Sequence, residues 1–72
     1  MTRQEYLNWC KERALVYVER GELNDAWLSM VSDLKKHEET KDHPAITLGT
    51  MMMALGQINT QGEMEKFIKG FN

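Results

Sequence analysis

The feature that most constrains this chain is a helix that is apolar on almost every side, in a sequence too short to enclose it. The segment runs Pro44-Ala45-Ile46-Thr47-Leu48-Gly49-Thr50-Met51-Met52-Met53-Ala54-Leu55 and closes at Gly56. At about 100° per residue, Ala45, Leu48, Met51, Met52 and Leu55 form one stripe, with Ile46 and Met53 on roughly the opposite side. A chain of 72 residues buries only about 60% of its unfolded surface, so covering both sides of one helix requires help. The stripe around Leu48 is expected to face the core. Ile46 and Met53 are then the expected interface, covered by another copy of the chain, a different protein or a ligand. Self-association around a two-fold axis is the simplest closure, and the adaptable thioethers of Met51, Met52 and Met53 suit such a contact.

Other sources of stability are scarce. Cys10 is the only cysteine, so no disulfide forms within the chain. A lone thiol without a secretory signal is the pattern expected of a cytoplasmic protein. No apolar run approaches the roughly 20 residues of a membrane span, so no membrane partner is expected. Nine basic and eleven acidic residues give a net charge of −2, with the signs mixed along the sequence. Nucleic-acid binding needs a basic face that this balance does not supply.

Capping residues, glycines and the proline divide the sequence into four helices within a single domain spanning 1–72. Thr2 and Glu5 have capping-box spacing and open a helix over about 3–20, which Gly21 terminates. The second helix covers about 24–37, and a short polar connection follows from Glu38 to His43. Pro44 suits the first turn of the third helix, about 44–55. Thr60 and Glu63 repeat the capping-box spacing and open the fourth, about 61–69. Period-two alternation is too short-lived to make a strand. The expected fold is therefore all-α: a compact, self-associating bundle of four short helices arranged as two helical hairpins.

The spacing of Ala14, Tyr17, Gly21, Leu23, Ala26 and Met30 resembles one unit of a tetratricopeptide repeat, which implies a close antiparallel pairing of the first two helices. Asp33 and Glu38 stand where that repeat usually carries a small residue and a proline, and no second unit follows. The stretches from His43 to Met52 and from Glu65 to Asn72 resemble small orphan proteins of tailed bacteriophages. That resemblance implies a setting, the host cytoplasm, and a mode of action, binding and disabling a host component.

Candidate sites follow from the faces left over. In the first helix Tyr6, Cys10, Ala14 and Tyr17 make the expected core face, with Leu7 and Val18 at its edge. Trp9 and Val16 fall outside it, flanked by Arg13 and Arg20. An aromatic plane beside guanidinium groups suits a nucleotide, with base on ring and phosphate on arginine. The same residues also suit a protein interface, with Val16 as its apolar part. The N-terminus of the third helix is the second anion site, with His43 and Thr47 as added donors. Gly49 there allows close approach of a ligand or another backbone, or simply tight helix packing.

Catalysis and metal binding are not expected. His37, Glu38, Glu39, Asp42 and His43 lack a zinc-ligand spacing. Cys10 and His37 are both expected to pack inside the first hairpin without a third orienting group. Ser29 and Ser32 share no helix face with a histidine, and neither a P-loop nor a dinucleotide-binding glycine pattern is present. No cofactor is implied. The expected activity is that of a non-enzymatic, phage-type counter-defence protein, a homo-oligomer sequestering a small anionic, nucleotide-type signal through Trp9, Arg13, Arg20, His43 and Thr47. The alternatives are direct inhibition of a host protein, or a structural role in virion assembly.

Overall fold

The computed structural model describes residues 2–71, leaving Met1 and Asn72, the two ends of the expected domain, outside the described residues. Four helices follow in order: α1 (Arg3–Glu19), α2 (Leu23–Lys35), α3 (Pro44–Ala54) and α4 (Gln61–Lys69). They form a compact helical bundle, and no strand occurs among the described residues.

Local chemistry explains the helix ends. Thr2 accepts the Glu5 backbone N–H through its hydroxyl while the Glu5 carboxylate accepts the Thr2 N–H, completing a capping box. Gly21 takes φ +76°, a conformation that costs glycine little. Its N–H donates to the Val18 carbonyl and the Glu22 N–H to that of Tyr17, the paired bonds of a Schellman ending. Gly56 repeats this at φ +73°, with bonds to Met53 and Met52. The second capping box is incomplete. Thr60 accepts the Glu63 N–H, but the Glu63 carboxylate receives the N–H of Asn59 and the hydroxyl of Thr60 rather than the Thr60 N–H. Helix α2 starts without a side-chain cap at Glu22. It ends at Lys35, and the following turn folds back so that Thr40, fully buried, donates its hydroxyl to the Leu34 carbonyl at 2.7 Å.

Helices α1 and α2 form an antiparallel hairpin, tied by the Tyr6 hydroxyl donating to the Asp33 carbonyl. Helix α4 lies antiparallel to α1. Gln61 at its start donates to the Val18 carbonyl at 2.8 Å, and Lys11 reaches the Lys69 carbonyl at its end at 3.1 Å. The core between them holds Leu7, Cys10, Ala14 and Val18 of α1, Ala26, Met30 and Leu34 of α2, and Met64 and Ile68 of α4. Each large apolar side chain so buried contributes about 1.5–3 kcal/mol. The buried face of α1 is thus centred one residue on from the expected one. Leu7 and Val18 are central, whereas Tyr6 and Tyr17 sit at the margin with their hydroxyl ends toward polar partners or water.

Helix α3 is fastened differently. The Trp27 indole reaches across from α2, donates its Nε1–H to Thr50 Oγ1 at 3.2 Å, and lies directly against Gly49. Phe67 and Phe71 complete an aromatic cluster with it, at centroid separations of 5.6 and 6.0 Å. This docking rotates α3 away from the orientation expected of it. Ile46 is buried and Met53 is half-buried against the core, so the two expected interface residues face inward. Leu48, Met51 and Leu55, expected inside, are 55, 57 and 68% exposed. The physical reason is the glycine: Trp27 requires the Gly49 side of α3, and Ile46 and Met53 lie on that side.

Candidate functional site

The helical spacing of Ser29, Ser32 and Asp33, continued by Lys36 at the C-cap, places all four on one face of α2, opposite Arg13 and Tyr17 of α1. Between them is a cavity of about 460 Å³, which Leu28 and Asp25 also line. Its floor is a carboxylate. The Asp33 side chain is 2% exposed and faces two cations: Arg13 Nε lies 3.0 Å from Oδ2, and Lys36 Nζ lies 3.7 Å from Oδ1. The Arg13 N–H is close to Oδ2 without being aligned on it. As a result Oδ2, like the nearby Ser29 Oγ, is buried with no hydrogen-bond partner among the described residues. A buried hydroxyl left in that state costs about 1–3 kcal/mol, whereas Oδ2 has the Arg13 charge beside it in place of an aligned hydrogen bond.

Arg13 is held from the other side by Trp9, its guanidinium 4.7 Å from the ring centroid. Trp9 in turn contacts Tyr6 at 5.5 Å, and Tyr6 contacts His37 at 4.7 Å. The indole is therefore a support for Arg13, with one face already occupied by the guanidinium. Arg13 also borders a second, smaller hollow of about 250 Å³ with Val16, Tyr17 and Arg20. The structure thus brings together Arg13 and Arg20, with Trp9 and Val16 at their flanks.

His43 and Thr47 are not part of this arrangement. His43 lies by α4, with its ring 5.1 Å from that of Phe71. Its Nδ1 accepts the Ala45 N–H at 3.1 Å, so that nitrogen takes up one of the helix's free donors. Thr47 is exposed on the same helix, away from Arg13. At Gly49 the close approach is made by Trp27 of the chain itself.

Ser29, Ser32, Asp33 and Lys36 escaped the sequence reading as ligand-facing residues. One signal was present: Asp33 continues the buried stripe of Ala26 and Met30, and an acid on a core stripe is rarely there without a partner.

The nucleophile candidates are quiet. Cys10 is fully buried, and burial, reinforced by the Asp33 charge, pushes its thiol up to about 11. His37 Nδ1 accepts the Glu39 N–H at 3.2 Å. No group of three or more metal-ligating side chains converges among the described residues. No helix among them is long and apolar enough to cross a membrane.

A second surface is the outer face of α3, where Leu48, Met51 and Leu55 follow at intervals of three and four residues. No Asp, Glu, Lys or Arg occurs between His43 and Glu63, so this face carries no formal charge. Beside it runs a groove of about 490 Å³ lined by Leu48, Met52, Ile58 and Phe67, with Glu63 and Lys66 on its rim.

No protein-family model, curated protein or solved structure matches this chain.

Proposed function

We propose that this chain is a non-enzymatic binding protein that captures a small nucleotide-type ligand in the groove between α1 and α2 and works as a homo-oligomer. The observation that carries the reading is the meeting of Arg13, Lys36 and the buried acceptors of Asp33 and Ser29 around one cavity. Cations at a rim suit phosphate, and the Ser29 hydroxyl, buried without a hydrogen bond, suits a polar ligand. Arg20 extends the positive rim along α1. The uncharged α3 face supports self-association, with Leu48, Met51 and Leu55 replacing Ile46 and Met53 as the residues that meet the second copy. Like charges do not oppose one another when two such faces pair. In the phage-type setting implied by the sequence resemblance, the activity is counter-defence, removal of a nucleotide signal without turning it over.

Native mass spectrometry of the protein purified from a defence-active bacterial lysate tests this. The expected result is a defined oligomer carrying a few hundred daltons (about one or two nucleotides) per site. A ligand-free protein whose thermal stability does not respond to any nucleotide overturns the capture reading.

Direct inhibition of a host protein is the second reading. The exposed Leu48, Met51 and Leu55 favour it, because an uncharged apolar helix face is also what a partner's groove accepts. It predicts a monomer that binds a host protein in one-to-one proportion and loses that binding on Leu48→Lys substitution.

A further inference from the structure

Resting on the homo-oligomer part of the proposed function, we infer that the seam between α3 and α4 docks the same seam of a second copy, about a two-fold axis that sets Glu63 of each chain against Lys66 of the other. Helix α4 runs back along α3: the Phe71 ring lies by His43, and Phe67 approaches Gly49. Two hollows open along this seam, of about 330 and 490 Å³, and Leu48, Lys66 and Phe67 line both. The seam is therefore one continuous trough with an apolar floor. Knobs stand beside it, because Met51 and Leu55 on the same helix are both more than half exposed.

Charge selects the occupant. The lining of the trough carries one acid and one base, Glu63 and Lys66, three residues apart on α4, beside a helix with no Asp, Glu, Lys or Arg. Such a surface complements its own copy after half a turn, which lays the negative end of one on the positive end of the other. A docking face of uniform sign would satisfy one of the two charges and oppose the other. The apolar residues obey the same symmetry. Leu48 and Leu55 are seven residues apart, about 10 Å along the helix, with Met51 and Met52 midway. Met52 lines the trough on the stretch that also carries Glu63 and Lys66. An axis through this midpoint exchanges Leu48 with Leu55 as it exchanges Glu63 with Lys66. Leu55 of one chain then enters the trough of the other beside Leu48 and Phe67, while the adaptable methionines meet at the axis.

Sedimentation equilibrium of the full chain at low salt tests the docking, and the wild type is expected to be a dimer. Lys66→Glu sets like charges against each other across the axis and should weaken dimerisation at least about tenfold. Adding Glu63→Gln, which keeps a capping oxygen at the start of α4, removes the repulsion and should recover most of that loss. Leu55→Ala touches neither charge nor cap and serves as a further variant. It should weaken the dimer about tenfold or more with helix content by circular dichroism unchanged. A dimer indifferent to Lys66→Glu or to Leu55→Ala, or a Lys66→Glu defect that Glu63→Gln leaves unrelieved, overturns this docking and leaves self-association standing. A wild-type chain that stays monomeric at the highest concentration measured overturns both and leaves the trough to a different protein.

Discussion

Trp27 and Gly49 approach so closely that no side chain fits between them: a Cβ built on Gly49 would collide with the indole Cη2 and stand 2.5 Å from Cζ2. The atoms in the way belong to a rigid ring that is itself pinned by Thr50, so neither partner can yield at its end. This contact, more than any hydrophobic stripe, decides which side of α3 faces inward.

Gly49→Ala should destabilise the chain by about 1–3 kcal/mol through overpacking, despite the roughly 1 kcal/mol by which alanine is the better helix former. Chemical denaturation measures this. The cost should shrink when Trp27→Phe is added, because phenylalanine lacks the two colliding atoms. A double-mutant cycle then returns a favourable coupling.

Removing the positive partner of Asp33 leaves a buried carboxylate with only Lys36 near it. Arg13→Gln should lower stability by about 1–2 kcal/mol, less than a fully buried pair would lose, since the arginine side is open to solvent. The loss should be smaller in an Asp33→Asn background. Urea titrations of the four proteins decide it.

Lysine at Leu48 and Leu55 should disperse any oligomer while leaving the monomer fold intact. Both side chains are more than half exposed, so each change should shift stability by no more than about 0.5 kcal/mol. Light scattering after size-exclusion chromatography reads the mass. An unchanged mass with the double substitution would remove α3 from the self-contact.

Cys10 gives the chain an alkaline dependence with a definite sign. The folded state keeps the thiol protonated up to about 11, whereas the unfolded chain releases that proton near about 8.5. Above the lower value the unfolded state therefore binds fewer protons than the folded one. The contribution of this group to stability is complete below that value and is lost as the pH rises through 11. Thermal melts between pH 8 and 11 should show the decline, and Cys10→Ala should flatten it. Ellman's reagent at pH 8 should react with Cys10 only as fast as the chain opens.

How much of this was legible in the sequence depends on the range of the interaction involved. Local signals read true: Thr2 with Glu5, Gly21, Pro44 and Gly56 mark helix ends through bonds to residues at most a few positions away. The orientation of α3 did not, because that helix is apolar on both sides and periodicity cannot choose between them. The choice is made by Trp27, some twenty residues earlier in the sequence, seeking a position without a Cβ. Thr40 shows the same limit, an apparent loop residue that is buried because it closes the end of α2. For the groove, Arg13 and Arg20 could be placed from their spacing on α1. Their companions on α2 depended on how the two helices meet, and His43 was lost to the site because its ring nitrogen caps α3.

The way α3 is attached has a consequence for the life of the folded molecule. Helices α1, α2 and α4 pack directly on one another, while α3 is held by an indole, a hydrogen bond to Thr50 and the phenylalanines behind them, with Ile46 as its one buried large apolar side chain. Such an element opens at a lower free energy than the body that carries it, so its amides exchange with deuterium ahead of those of α1, and Trp27 meets acrylamide each time it lifts. The vacated notch has no means of telling its own α3 from that of a neighbour. Exchange of the helix between copies is therefore the outcome expected at high concentration, a route to domain-swapped pairs that requires no surface beyond the one already used to fold and that size-exclusion chromatography would reveal as a slowly reversing dimer.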